Sequence, residues 1–197
     1  MPSFLSLVLT LGTLGSLAAA DDIYTYLQEG CTGASFHFKD IDHNICAVSI
    51  THKNVTLQEA IANNWTAVQS SKFEVQETGK KHFVGWDQGP DSNADGLLQC
   101  GHITVDKQIS KRETCITAPE PTSFHGISWY EGNTTLPKRS QRTCTGTKNP
   151  DSLIFADGRV YGVKNIPQKD FDDLVELAFG GATGDALPAE LAKYEQL

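Results

Sequence analysis

The first charged side chain of this chain is Asp21. Everything ahead of it is Met1-Pro-Ser-Phe-Leu-Ser-Leu-Val-Leu-Thr-Leu-Gly-Thr-Leu-Gly-Ser-Leu-Ala-Ala-Ala20, an apolar run from Phe4 to Leu17 closed by three alanines. Small residues before a polar Asp21-Asp22 pair are what signal peptidase accepts, and the run is short for a bilayer span. The reading is a signal peptide over residues 1–20 and one secreted domain over 21–197. No later segment reads as a membrane anchor, so the mature protein is expected in the extracellular space. Export passes the chain through an oxidising compartment, and that sets the fate of its cysteines.

Five cysteines follow the signal: Cys31, Cys46, Cys100, Cys115 and Cys144. Two bridges and one leftover, buried thiol are expected. Strands over 97–105 and 110–117, turning at Asp106-Lys107-Gln108-Ile109, would set Cys100 opposite Cys115 within disulfide reach. Cys144 is then expected to bond either Cys31 or Cys46. Three glycosylation sequons, at Asn54, Asn64 and Asn133, predict surface positions. Dibasic pairs occur at Lys80-Lys81, Lys111-Arg112 and Lys138-Arg139. The two Lys-Arg pairs match what a subtilisin-like convertase of the secretory route cuts, although uncut surface loops are the plainer reading.

The net charge of −8 argues against non-specific nucleic-acid binding, which needs clustered cations to neutralise phosphates. Residues 107–148 form a basic exception, but without interleaved stacking aromatics.

Period-two patterning predicts strands at Ala34–Phe38, Ile45–Ile50, Phe73–Gln76, His82–Trp86, Leu97–Val105 and Phe124–Tyr130. Leu153–Val163 reads as a hairpin turning at Asp157-Gly158. Thr56-Leu-Gln-Glu59 is a capping box that opens a helix to about Trp65. Near the end, Phe171, Leu174, Val175 and Ala178 mark the apolar face of a helix stopped by Gly180-Gly181, and Pro188 starts a shorter one. The expected fold is α+β: an antiparallel sheet with one early helix packed on it and a helical C-terminal extension, stapled by disulfides.

Signals of chemistry are sparse. Asp91, Asn93 and Asp95, followed by Gly96, match the opening of a calcium loop, but His102 stands where the bidentate Glu would be. Calcium is therefore the one cofactor considered, with a calcium-dependent carbohydrate binder as the third functional reading. None of the six histidines has the His-Glu-x-x-His spacing of a zinc protease, and no Gly-x-Ser-x-Gly elbow is present.

Phe124-His125-Gly-Ile-Ser-Trp-Tyr130-Glu131-Gly132 resembles the histidine and guanine-binding segment of secreted T1-type fungal ribonucleases. Ile154-Phe-Ala-Asp-Gly-Arg-Val-Tyr-Gly-Val163 is similar to their penultimate hairpin. The resemblance implies His125 as a catalytic residue and Glu131 as a base-binding one. That family's Arg and second catalytic His have no counterpart near Ser152 and Asn165, which implies a catalytically empty version of the fold. In layout the chain resembles small secreted fungal effector-type proteins, carried by Ala18-Ala-Ala20, few cysteines, sequons and Lys-Arg pairs. That likeness implies a non-enzymatic interaction protein, a virulence factor or elicitor that binds a host or extracellular protein or glycan. A secreted hydrolase, with ribonuclease first, is the alternative.

Overall fold

In β1 (Asp22–Tyr26) the alternation of apolar and polar residues turns Ile23 and Thr25 to one side and Tyr24 to the other. Across from it β2 (Ser35–Phe38) turns Phe36 and Phe38 inward and His37 outward. The same rule sorts the remaining strands of the computed structural model, which describes residues 21–49, 68–87, 102–133 and 145–196. They are β3 (Ile45–Val48), β4 (Ser70–Glu74), β5 (Lys81–Asp87), β6 (His102–Gln108), β7 (Glu113–Thr117), β8 (Gly126–Glu131), β9 (Gly146–Lys148), β10 (Ser152–Ile154), β11 (Val160–Gly162) and β12 (Glu195–Gln196). Helix α1 spans Gln168–Phe179 and α2 spans Ala189–Ala192.

The strands form two sheets. One has seven strands in the order β12-β11-β10-β2-β1-β4-β7, the other five in the order β6-β5-β8-β3-β9. Every described pair is antiparallel except β3 with β9. The sheets meet through aromatic side chains: Phe73 of β4 stacks on Phe83 of β5 at 5.0 Å and leans on Trp129 of β8 at 5.8 Å. All three are buried, and each such ring stabilises the fold by about 2 kcal/mol. The Trp129 indole N–H donates to the Ile41 carbonyl, so its polar edge is satisfied too. Helix α1 lays Phe171, Leu174, Val175 and Ala178 on the same core, with Phe171 stacked on Phe36 at 6.1 Å.

Mostly antiparallel β-structure with few helices replaces the expected α+β arrangement. The early helix at 56–65 lies outside the described residues, and among those described the only helical turn before α1 is a 3-10 turn at Glu29–Cys31. The C-terminal segment is not a helical extension. Its helix is part of the core, and the chain then returns to pair β12 with β11.

The cysteine pairing also differs. Cys31 bonds Cys115, with Cα atoms 6.2 Å apart. The expected Cys100–Cys115 bridge fails because β6 runs on to Gln108, through most of the predicted turn at 106–109, and belongs to the other sheet from β7, whose Cys115 is bonded to Cys31. A Cys144–Cys31 bridge is excluded because Cys31 is already bonded to Cys115. Cys46 is disulfide-bonded as well, while Cys100 and Cys144 lie outside the described residues.

Candidate functional site

The register of the seven-stranded sheet lines up one polar row on its outer face. Ser152 of β10 stands beside His37 of β2, then Tyr24 of β1, then Lys72 of β4. The next row holds Asp22 and Glu74, followed by Glu113 of β7. These positions are polar because the alternate ones (Phe36, Ile23, Phe73) fill the core.

His37 sits at the centre. Its Nδ1 lies 3.2 Å from the Ser152 hydroxyl and its Nε2 lies 3.0 Å from the Asp22 carboxylate. The Tyr24 ring stacks on the imidazole at 4.4 Å, nearly parallel. From the β4 side the Lys72 ammonium stands 4.5 Å from the Tyr24 centroid, a cation–π contact. Lys72 also pairs with Glu74, which accepts the Tyr24 hydroxyl at 3.2 Å. Burial alone would raise the Asp22 pKa, but the His37 ring and the Asp40 backbone N–H outweigh it and hold the carboxyl below its ordinary value. Tyr24 is pushed up, by burial first and then by the charges of Glu74 and Asp22.

A serine, a histidine and an aspartate in line invite a hydrolase reading, but the geometry does not support a nucleophile. Ser152 is only 3% exposed. Its strand is paired on both sides, so the local backbone N–H groups are committed to the ladder and none is left as an oxyanion donor. What the face offers instead is a ring stack with a cation at one end and carboxylates beside it.

A second histidine network is sealed. His82 Nδ1 lies 2.8 Å from Asp106, which accepts the Tyr130 hydroxyl at 2.6 Å, and the His82 and Tyr130 rings stack at 4.8 Å. With side chains 1% and 3% exposed, His82 and Asp106 tie β5, β6 and β8 together and reach no substrate. His82 Nε2 is buried without a hydrogen-bond partner, a destabilising feature the network carries.

The two residues implied by the ribonuclease resemblance do not converge. His125 precedes β8, where its N–H donates to the Trp86 carbonyl and its own carbonyl accepts from Ser49. Burial pushes its pKa down, partly opposed by the Asp87 charge. Glu131 is exposed at the far end of β8, about 20 Å away along the strand. One phosphate cannot lie between them.

The calcium candidates Asp91, Asn93 and Asp95 lie outside the described residues, as do Asn54 and Asn64. Among the described residues no group of three or more His, Cys, Asp or Glu is placed to hold a metal. Asn133 is exposed, as an acceptor of sugar would need to be. A cleft of about 350 Å³ is lined by Thr147–Asp151 and Lys164–Ile166, but its lysines already face Asp151, at 3.1 Å from Lys148 and 3.9 Å from Lys164.

Residues 22–151 match the family model described as ARB_05566_N, N-terminal domain. The chain belongs to this family. The ARB_05566_N match takes in β1 to β9, and with them Asp22, Tyr24, His37, Lys72 and Glu74, and it stops one residue short of Ser152. No curated protein matches the chain, and no solved structure does.

Proposed function

We propose that this is an exported interaction protein that acts by binding, and that the outer face of its seven-stranded sheet is the contact surface. Three features support export. Residues 1–20 have the pattern of a signal peptide. Asp21, the residue after that segment, is bonded into the fold: its carboxylate pairs with Lys81 and its carbonyl accepts from Ile41. The fold also carries a disulfide. Among the described residues no helix is long and apolar enough to cross a membrane.

The observation that carries the binding reading is the partly exposed Lys72–Tyr24–His37 stack on the outer face of the sheet. Partly exposed rings beside carboxylates suit a polar extracellular partner, a host protein or a glycan. The effector-type resemblance points the same way. The calcium-dependent variant of carbohydrate binding rests on Asp91, Asn93 and Asp95 alone.

The test uses purified residues 21–197, wild type beside Ser152→Ala, His125→Ala and Glu131→Ala. The expected outcome is no RNA cleavage and no labelling by a fluorophosphonate probe. Activity removed by any of these changes would make the protein an enzyme. In the positive arm, extracellular protein and wall-glycan fractions are passed over the immobilised protein. Tyr24→Ala or Lys72→Ala is expected to weaken capture at least tenfold, and unchanged capture would move the contact surface elsewhere.

A further inference from the structure

The structure separates the two dibasic pairs it describes, and we propose that Lys111-Arg112 is a processing site. A dibasic-specific endoprotease of the export route hydrolyses the Arg112–Glu113 peptide bond, and the two resulting chains stay joined through the Cys31–Cys115 disulfide. Water adds across the amide, leaving a carboxylate on Arg112 and a new amino terminus on Glu113. The inference rests on the export reading, because that route supplies the enzyme.

Accessibility comes first. Ser110, Lys111, Arg112 and Glu113 are all exposed, and neither basic side chain has an ion pair among the described residues. A protease pocket lined with carboxylates would therefore meet two exposed cations. Lys80-Lys81 is different: the Lys81 ammonium is held 2.5 Å from the buried Asp21 carboxylate and 4.7 Å from the Trp129 ring centroid. Lys138-Arg139 lies outside the described residues.

The backbone around the pair is also suited to cutting. Endoproteases take their substrates as extended strands, pairing with free N–H and C=O groups. The turn joins β6, at the edge of the five-stranded sheet, to β7, at the edge of the seven-stranded one. Each flanking strand is paired on one side only among the described strands. Two backbone bonds hold the turn shut: Ile109 N–H to the Lys81 carbonyl at 2.9 Å, and Val75 N–H to the Arg112 carbonyl at 2.8 Å. Opening them, with fraying of the Glu113–Glu74 end of the β4–β7 ladder, is a local event at the rim of the sheet.

The product is held together by construction. Cys115 follows the new amino terminus by two residues, and its bond to Cys31 pins β7 against β4. The two chains cannot part without reduction.

The protein is expressed in a eukaryotic secretory host, and medium and cells are compared on reducing and non-reducing gels with sequencing of new amino termini. The expected result is secreted protein that runs as one band unreduced and two bands reduced, with Glu113 at the start of the second chain. Arg112→Ala should leave a single reduced band, while Lys80→Ala changes nothing. Secreted protein that stays whole on reduction, or a cut after Arg139 in place of Arg112, would overturn the inference while leaving export standing. Retention in cells would overturn export. The retained chain, purified and incubated with a dibasic endoprotease, then still decides the site: cutting at Arg112 supports it and an intact chain overturns it.

Discussion

Asp22 is half-buried, yet one carboxylate oxygen accepts from His37 and the other from the Asp40 backbone. Those bonds favour the charged form, so the folded state holds its proton less tightly than the unfolded chain does. The stability this contributes is present above the ordinary carboxylate range, near pH 4, and is lost as the pH falls through the lower folded value. Asp22→Asn should cost about 1–2 kcal/mol at pH 7 and should flatten the decline in stability below pH 4. Urea melts of both proteins at pH 7 and pH 3 check this, and an unchanged pH profile would remove Asp22 from the account. Gly85 makes a steric case. A Cβ there would stand 2.2 Å from the Phe124 ring, which is fully buried. Gly85→Ala should cost about 1–3 kcal/mol by forcing that ring aside, read as a lowered melting temperature. Neither Asp22 nor His37 stood out in the sequence. Their meeting depends on β1, β2 and β10 lying side by side, and Ser152 is 115 residues from His37. His125 and Glu131 did stand out, through a local spacing, and that spacing runs along a single strand.

The elements themselves were largely legible, and their partners were not. Alternation predicted strands at Ser35–Phe38, Ile45–Val48 and Lys81–Asp87 closely, and the Asp157-Gly158 turn joins β10 to β11 in register. Period-two patterning says which residues turn inward but not which strand lies alongside. Strands that follow one another in the chain, β2 and β3 or β4 and β5, lie in different sheets. The same division moves Cys115 away from β6 and beside the 3-10 turn that carries Cys31. The bridge closes a loop of 84 residues, and removing it by Cys31→Ser should lower stability by about 2–5 kcal/mol. Cys115→Ser should match it, and the double change should add little, as thermal melts under oxidising conditions would show. Independent losses from the two single changes would mean that the bridge is absent.

At the scale of the whole molecule, the family match ends where the sheet does not. Beyond residue 151 the chain supplies β10 alongside β2, then β11, β12 and the helix that covers Phe36. A chain ended at residue 151 would leave β2 with an open edge and Phe36 uncovered. It should be recovered aggregated or without fixed near-ultraviolet circular dichroism, whereas residues 21–197 fold. A well-ordered 21–151 fragment would show the later strands to be dispensable. The strand order has a mechanical side as well. Residue 196 lies in an outermost strand, while residue 22 begins a strand clasped on both flanks. Tension applied between the two would peel β12 and then β11 sideways, rupturing their few pairs one after another at low force. The unravelling would halt at β1, where two ladders share the load.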